Sequence, residues 1–490
     1  MTERIKESCG LFGIYGSADA IKHTYYSLYA LQHRGEEGAG IAATDGNTIR
    51  HVRGMGQVSE AFTLDDFGSY EAHAAIGHVR YSTTGFSIFA NVQPIVVQYS
   101  RGEIAVAHNG NLVNAKALRA RLESRGSIFR ATNDSEIILH LLATSCQMNW
   151  LDALANSLNE IRGAFSLVFL TPNEVVGVRD PRGFRPLMIG KLGDTYCFAS
   201  ETCAFDLIGA EVVREVEPGE MVSISENGLT SRRYAPATQH SRCIFELIYF
   251  ARADSSMFGE HVHLFRERLG QKLAEEHAVD ADAVIAVPHS ATSAAIGYHQ
   301  GSGIPFEQGL IANTYMGRTF IQPFQGQRSR YVNIKLNAVP QVLRGKKVVV
   351  VDDSIVRGTT TASKMRLVRK AGAKEIHLRI TCPRLYHPCF YGVDFQSKEE
   401  LIANKVPADS MTEFFEVDSI GFLSIEGLRS CARCEPEGFC TACFDGKYPV
   451  PVPKDDRQMS FEESHWQTAS PVERKAPAPG SETAHDYAPR

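Results

Sequence analysis

Residues 347–361 read KVVVVDDSIVRGTTT, and this stretch decides the fold. Its valine run, residues 348–351, indicates a parallel strand covered on both faces, since such strands read as unbroken apolar segments. Asp352 and Asp353 end the strand, at the edge where open α/β sheets bind ligands. Beyond them, Gly358 lets the backbone approach a ligand closely, and the N–H groups of residues 357–360 can hold a phosphate where a helix over residues 361–371 begins.

Gly372 is suited to end that helix, and residues 376–381 read as the next strand, which completes a strand-helix-strand unit. The alternative is an ordinary buried strand followed by an acidic turn. Residues 350–360, VVDDSIVRGTT, resemble the phosphoribosyl-diphosphate (PRPP) loop of type I phosphoribosyltransferases. The resemblance implies that the acidic pair meets the ribose hydroxyls and a magnesium ion, and that the turn holds the 5-phosphate through Ser354, Ile355, Val356, Arg357, Gly358, Thr359 and Thr360.

Length and composition indicate a globular protein. A chain of 490 residues forms about two to three domains. With a net charge of −5 there is no reason to expect nucleic acid as a partner. No apolar run approaches the roughly 18–20 residues of a membrane span, and MTERIKES is too short and too charged for a secretory signal. We therefore expect a cytoplasmic protein without a membrane partner.

The chain divides into regions of different composition. We expect a propeptide at 1–8, a first domain at 9–235, a second at 244–448 and a disordered tail at 449–490, which is rich in Pro, Ala, Glu and Ser. The first domain alternates strands, such as residues 74–77, 104–107, 164–170 and 175–178, with helices at 20–31 and 134–143. The second repeats strand and helix, with helices at 267–277 and 292–300 and a strand at 283–287.

Cys9 is a candidate nucleophile. Removal of MTERIKES would free its α-amine, whose reference pKa of about 7.7–8.0 suits a base for the thiol proton. The alternative is a buried thiol near a flexible terminus. Behind Cys9 follow the segments LQHRG (31–35), GHVRYST (77–83), HNGN (108–111) and NDSE (133–136).

Together these segments resemble the glutaminase domain of class II amidotransferases, which are N-terminal nucleophile hydrolases. The resemblance implies that Cys9 attacks the side-chain amide of glutamine, while Asn109 and the N–H of Gly110 stabilise the oxyanion. Arg80 would pair with the α-carboxylate of glutamine, and Asp134 would hold its α-ammonium. Taken singly, Arg80 could be a surface ion pair, Asn109 a turn residue and Asp134 a helix N-cap. Glu36 departs from the family, which usually has Gln after HRG; if it were buried near the substrate, it would repel the carboxylate.

A glutaminase followed by a PRPP loop resembles the amidophosphoribosyltransferase family, as do RDPRGFRPL (179–187), SETCAF (200–205) and EVEPGE (215–220). The implied fold is a four-layer αββα glutaminase domain followed by an α/β type I phosphoribosyltransferase domain. The implied reaction turns glutamine, PRPP and water into 5-phosphoribosylamine, glutamate and diphosphate, the committed step of purine synthesis. The same resemblance implies a homotetramer that purine nucleotides inhibit.

Two further segments match ligand loops of that family. Residues 317–337 resemble a mobile loop that closes over PRPP, in which Arg318, Arg328, Arg330 and Lys335 would neutralise the diphosphate; a solvated basic loop is the alternative. Thr314 replaces an Arg common there. VPHSATS (287–293) would contribute Ser290 to the magnesium site of Asp352 and Asp353, since oxygen ligands suit that ion. His289 stands where relatives often have an acid.

Eleven cysteines in such a chain argue for metal or catalytic use of some of them. We expect Cys146, Cys197 and Cys203 to be inert core residues. By resemblance, a 4Fe–4S cluster would be bound by Cys243, Cys389, Cys440 and Cys443. Cys431 and Cys434 complicate this, because C-x2-C-x5-C-x2-C could hold zinc by itself. Binding of no metal is the third possibility.

Two rival functions share half of these features. A sugar-phosphate aminotransferase or an asparagine synthetase shares the glutaminase domain but has no need of DDSIVRGTT. A nonenzymatic PRPP-sensing regulator shares the second half but has no need of Cys9, Arg80, Asn109 and Asp134.

Overall fold

The structure, a computed structural model, describes residues 9–81, 88–147, 149–236, 238–313, 336–395 and 397–452. The expected propeptide, the loop residues Thr314, Arg318, Arg328, Arg330 and Lys335, and residues 453–490 lie outside this part of the chain. Within it, no helix is long and apolar enough to cross a bilayer.

The first region is built mainly of antiparallel strands. These are β1 (Gly10–Tyr15), β2 (Gly38–Thr44), β3 (Ile49–Met55), β4 (Ala74–Arg80), β5 (Ile95–Tyr99), β6 (Gly102–Leu112), β7 (Gly163–Thr171), β8 (Glu174–Arg179), β9 (Met188–Leu192), β10 (Thr195–Ala199), β11 (Glu211–Glu215), β12 (Glu220–Ser225) and β13 (Gly228–Arg233). The helices are α1 (Ala20–Ala30), α2 (Val58–Ala61), α3 (Ala115–Glu123), α4 (Ser135–Thr144), α5 (Trp150–Glu160) and α6 (Cys203–Ile208).

These strands form two sheets that pack face to face. One has the order β11-β9-β10-β1-β4-β2-β3, and the other β13-β12-β8-β7-β6-β5. A shared core lies between them, and a Cβ added to Gly13 of β1 would lie 2.8 Å from Val168 of β7. Helices α1 and α6 cover the outer face of the first sheet, and α3, α4 and α5 cover the second. The result is the expected four-layer αββα arrangement.

The second region surrounds a short parallel sheet. Its strands are β14 (Arg242–Cys243), β15 (Ser256–Met257), β16 (Glu260–His261), β17 (Ala283–Ala286), β18 (Leu310–Ala312), β19 (Leu336–Ala338), β20 (Lys347–Asp352), β21 (Glu375–Ile380), β22 (Ser419–Phe422) and β23 (Phe439–Cys440). The α-helices are α7 (Val262–Glu276), α8 (Thr292–Ser302), α9 (Pro340–Leu343), α10 (Thr359–Lys370), α11 (Met411–Phe415), α12 (Ile425–Ser430) and α13 (Ala442–Asp445), and a π-helix covers Glu246–Phe250.

The valine strand is central in that sheet. The order is β17-β20-β21-β22, with every pair parallel, and residues 348–351 of β20 are fully buried. The expected strand-helix-strand unit is present, but its helix begins at Thr359 rather than residue 361. Gly358 caps the helix with φ 86°, a left-handed conformation that disfavours residues with a side chain. The turn after β20 therefore ends two residues earlier than the sequence predicted.

The buried interior of this sheet should dominate the stability of the second region. Leu378 is fully buried on β21 and lies opposite the half-buried Ile420 of β22. We expect Leu378→Ala to lower the free energy of unfolding of this region by about 2–5 kcal/mol, since the cavity left behind adds to the lost burial. The matched variant Ile420→Ala should cost clearly less. Urea unfolding compares the two, and equal losses would contradict this placement of the core.

Candidate active site

Cys9 lies at the entry to β1, beside the end of β4. Because β1 pairs antiparallel with β4, Gly10 faces Val79, and Cys9 comes next to Arg80 and Tyr81. The thiol sulfur is 3.5 Å from both the main-chain N and the main-chain O of Tyr81. Only 7% of Cys9 is exposed.

Burial raises the pKa of the Cys9 thiol above its usual value. The N–H of Tyr81 and the charges of Arg80, Arg34 and Arg185 oppose that rise without cancelling it. A thiol in this state is neutral at ordinary pH, whereas the thiolate is the nucleophile. The site therefore needs a base close to Cys9.

Asn109 and Gly110 lie on β6, opposite Ser166 and Phe165 of β7. The side chain of Asn109 is 1% exposed, and its buried amide nitrogen has no hydrogen-bond partner among the described residues. Gly110 has φ 147°, and a Cβ there would lie 2.0 Å from the carbonyl oxygen of Ala164. This segment therefore offers an unused buried donor beside a position that only glycine can occupy.

Arg80 and Asp134 are also buried, at 3% and 4% exposure. Asp134 occupies the N-cap position of α4 but its side chain makes no capping hydrogen bond, and its Oδ2 instead accepts a hydrogen bond from the N–H of Leu112 at 2.8 Å. Its Oδ1 lies 3.4 Å from Nδ1 of His108. Asp134 is thus tied to the strand that carries Asn109 and Gly110, as well as standing at the N-terminus of α4.

Glu36 is half-buried, and its carboxylate lies 3.5 Å from the side-chain amide nitrogen of Gln57. The glutamate beside Arg80 is instead Glu37, with a carboxylate oxygen 3.9 Å from the guanidinium. Sequence reasoning missed Glu37, although its N–H also bonds the carbonyl of Arg80 at 3.1 Å. Glu37 directly precedes β2, whose first residue lies opposite Arg80, so only the pairing of β2 with β4 brings the two side chains together.

The acidic pair divides its contacts at the end of β20. Asp353 accepts hydrogen bonds from the hydroxyls of Ser290 and Ser354, the latter at 2.6 Å. Asp352 instead pairs with Lys364 of α10, Oδ2 to Nζ, at 2.9 Å. Burial raises the pKa of Asp352, and the ammonium of Lys364 opposes that rise. The described residues thus bring Ser290 to Asp353, while His289 is exposed.

Lys364 is a site residue that the sequence reasoning overlooked. It lies one turn into α10, and its amine contacts Asp352 at the end of β20. Arg357, in the turn before α10, forms an ion pair with Glu400, which lies outside that turn. Gly358 packs closely, since a Cβ there would lie 3.1 Å from Ile402.

One small buried pocket brings together the thiols of the second region. Cys243, Cys389, Cys440 and Cys443 all line it, with mainly aromatic and apolar neighbours. Cys243 lies directly opposite Cys440 in the β14–β23 pair. As placed, no group of three or more His, Cys, Asp or Glu side chains within the described ranges could hold a single metal ion.

Known proteins match this chain over nearly its whole length. The glutamine amidotransferase domain family matches residues 78–206. An amidophosphoribosyltransferase of Bacillus subtilis is 47% identical over 456 residues, which cover 92% of this chain and 96% of that protein. A chloroplastic one from Vigna aconitifolia is 49% identical over 449 residues, 91% of this chain and 92% of that protein.

This chain belongs to the amidophosphoribosyltransferase family. The solved glutamine PRPP amidotransferase from B. subtilis, complexed with ADP and GMP, has a TM-score of 0.86 and 47% identity, covering 91% of this chain and 98% of that one. The expected glutaminase and phosphoribosyltransferase folds are therefore confirmed. The activity is glutamine-dependent amination of PRPP, the first step of purine biosynthesis, and neither rival function accounts for a match that covers both halves.

The remaining cysteines separate into different environments. Cys431 is buried against the carbonyl oxygen of Gly427 and Cys434 is exposed, and neither lines the pocket of the other four thiols. A zinc site made of both CxxC pairs is therefore not assembled. Cys197 and Cys203 are buried as expected. The expectation for Cys146 was wrong, because it follows the end of α4 and is exposed.

A buried ion cluster was also missed. Arg34, Glu201, Arg185 and Glu246 are fully buried and contact one another. Three of them lie in segments that carried the family resemblance, HRG, SETCAF and RGFRPL, where their role was not assigned. The available signal was Glu246 alone, a charged residue within the apolar segment CIFELIYFA (243–251), since such residues are buried only when paired.

Proposed function

We propose that Cys9 is the glutaminase nucleophile and that Asn109 and Gly110 stabilise the oxyanion. The observation that carries this assignment is the buried amide nitrogen of Asn109, which has no partner among the described residues. A donor that is left unused in the unliganded protein is available to the charge that develops on the substrate carbonyl. Gly110 allows the strand to approach that position without a side chain.

Substrate recognition follows from the buried charges around this centre. The guanidinium of Arg80 matches the α-carboxylate of glutamine, and the carboxylate of Asp134 matches its α-ammonium. Glu37, near Arg80, keeps the guanidinium partly neutralised before substrate arrives. Both assignments remain proposals, supported by burial and by the link between Asp134 and β6.

The glutaminase half-reaction then balances as follows. The Cys9 sulfur bonds to the amide carbon as its proton passes to a base and on to the departing nitrogen, which leaves as ammonia. Water hydrolyses the resulting thioester to glutamate and restores the thiol. We propose the α-amine of Cys9 as the base, after removal of residues 1–8, because the raised thiol pKa calls for one close by.

At the second site, we assign PRPP to residues 352–360. The N–H groups at the start of α10 suit the 5-phosphate, and Asp352 and Asp353 suit the ribose hydroxyls. Ammonia attacks C1 as the bond to diphosphate breaks, and the ammonia must arrive unprotonated, so the passage between the sites has to exclude water. Arg318 and Lys335 remain candidates for neutralising the diphosphate and lie outside the described residues.

Magnesium fits the oxygen-rich end of β20. Ser290, Asp352 and Asp353 would hold it, and hydroxyl and carboxylate oxygens are the ligand type it prefers. When bound, it would neutralise charge on the diphosphate. Lys364 competes for Asp352, so its amine has to yield or share that carboxylate.

A 4Fe–4S cluster fits the pocket of Cys243, Cys389, Cys440 and Cys443. Four thiols in one buried, apolar pocket are the ordinary ligand complement for such a cluster. These four thiolates would hold the cluster, which does not require all four sulfurs to converge on one ion. Burial raises the pKa of the Cys243 thiol to about 11. The positive charge of Arg185 opposes that rise and so favours the thiolate. When bound, the cluster would join three segments of the second region.

We retain the domain limits 9–235 and 244–448 as proposals, with a propeptide at 1–8. The main-chain N–H of Val450 donates a hydrogen bond to the hydroxyl of Tyr391 at 3.0 Å. The start of the expected tail, residues 449–452, therefore packs against the second domain. A homotetramer and inhibition by purine nucleotides near residues 352–360 are also proposed. The complex of the B. subtilis enzyme with ADP and GMP supports the nucleotide proposal.

The nucleophile assignment predicts a selective loss. Cys9→Ala should abolish glutamine-dependent diphosphate release but keep release driven by added ammonia, because the phosphoribosyl site is separate. The exposed Cys146→Ala is the matched control and should keep both activities. Assays of diphosphate with either nitrogen donor decide the matter. Glutamine-dependent activity in Cys9→Ala would show that the nucleophile lies elsewhere.

The cysteine assignment predicts iron in the purified protein. Protein prepared anaerobically should be brown and should absorb at about 400 nm, as iron–sulfur proteins do. Elemental analysis should find iron in it. Cys443→Ser should lose that iron, whereas Cys434→Ser, a cysteine from the other CxxC, should keep it. Zinc without iron, or equal loss of iron in both variants, would contradict the assignment.

A further inference from the structure

The ion cluster of Arg34, Glu201, Arg185 and Glu246 has no solvent access. The guanidinium of Arg34 donates two hydrogen bonds to the carboxylate of Glu246, each at 2.9 Å, and one to Glu201 at 2.5 Å. Arg185 donates to the same carboxylate of Glu246 at 2.9 Å. Two positive and two negative groups thus balance, with Glu246 between both guanidiniums.

This cluster crosses from one half of the chain to the other. Arg34, Arg185 and Glu201 belong to the αββα region, whereas Glu246 begins the π-helix of the second region. Residues of the second region also bind Glu201, through the hydroxyl of Ser255 at 2.8 Å and the N–H of Arg252 at 3.0 Å. The two halves therefore share a neutral charge cluster that neither half completes alone.

One end of the cluster holds the main chain of the nucleophile. Nε of Arg34 donates a hydrogen bond to the carbonyl oxygen of Cys9 at 3.0 Å. With one edge of its guanidinium on Cys9 and the other on Glu246, Arg34 has little freedom to move. The position of Cys9 consequently depends on the position of the Glu246 carboxylate.

The other end reaches the wall of the cysteine pocket. Arg185 donates to the carbonyl oxygen of Tyr391 at 2.8 Å, and Tyr391 lines that pocket together with Cys389. The adjacent Phe390 accepts a hydrogen bond from the side chain of Asn111 at 2.9 Å. A Cβ added to Gly392 would lie 3.2 Å from the main chain of Gly110, so this segment packs directly on the oxyanion strand.

We infer that Glu246 is a positioning residue for the glutaminase. It aligns Cys9 with Asn109 and Gly110, because it links Cys9 and the strand of Asn109 and Gly110 to the pocket wall at residues 389–392. It touches no substrate and acts through Arg34 and Arg185. The inference rests on the proposed roles of Cys9, Asn109 and Gly110. Its consequence is that the wall of the cysteine pocket and the glutaminase site belong to one chain of contacts.

The test is Glu246→Gln, which keeps the shape of the side chain and removes its charge. We expect kcat with glutamine to fall by about tenfold to a hundredfold, as for a misaligned reacting group, while the rate with ammonia and the KM for PRPP stay unchanged. Alkylation of Cys9 by a chloroketone analogue of glutamine should slow in parallel. A loss of both activities together, or of neither, would overturn the inference.

Two further variants separate positioning from stability. Glu220→Gln is the matched control, since Glu220 is also buried and binds Arg214 through two hydrogen bonds of 2.7 Å, but contacts neither site. It should lose thermal stability and keep kcat with glutamine. The double variant Glu246→Gln with Arg185→Gln restores charge balance, so it should regain thermal stability and keep the low kcat with glutamine.

Recovery of that kcat in the double variant would mean that only charge balance matters, and the inference would fail. If Glu246→Gln does not fold, the balanced double variant carries the test alone. Failure of the proposed nucleophile looks different, because Cys9→Ala would then keep glutamine-dependent activity.

Discussion

The shared charge cluster between the two halves is the constraint on which the active arrangement depends. Removing one member would leave an uncompensated charge in a solvent-free interior, which costs about 3–5 kcal/mol in comparable buried pairs. The cluster therefore resists a rotation that would part Glu246 from Arg34 while both stay buried. It also fixes the carbonyl of Cys9 through Arg34, so the interface and the nucleophile are parts of one rigid arrangement.

Strand ends place the rest of the chemistry. Cys9 precedes β1, Arg80 ends β4 and Asp352 ends β20, so each proposed site residue lies where a regular hydrogen-bond ladder stops. The buried Arg266 of α7 donates hydrogen bonds to the carbonyl oxygens of Leu247 and Ala251, and burial lowers its pKa to about 10 against the opposing charges of Asp353 and Glu201. Arg266 therefore ties α7 to the π-helix that Glu246 begins.

Much of this could be predicted from local patterns. The valine run indicated the buried strand because strand periodicity is a local property, whereas the glutaminase domain was predicted from the family resemblance of the ordered segments behind Cys9. The contacts of Lys364, Glu37 and Glu246 could not be read in this way, since each depends on tertiary placement. Cys146 was misjudged because an apolar neighbourhood in sequence does not ensure burial at a helix end. Helix α10 begins at Thr359, two residues earlier than predicted, because Gly358 adopts a left-handed conformation. The sequence permits that conformation but does not require it.

The central claim is that ammonia formed at Cys9 passes directly to PRPP. The most direct measurement uses glutamine labelled with ¹⁵N in its side-chain amide, in the presence of excess unlabelled ammonium, and determines the isotope in the phosphoribosylamine formed. The account predicts that the product carries the glutamine label almost undiluted. Dilution of the label in proportion to the ammonium in solution would contradict it.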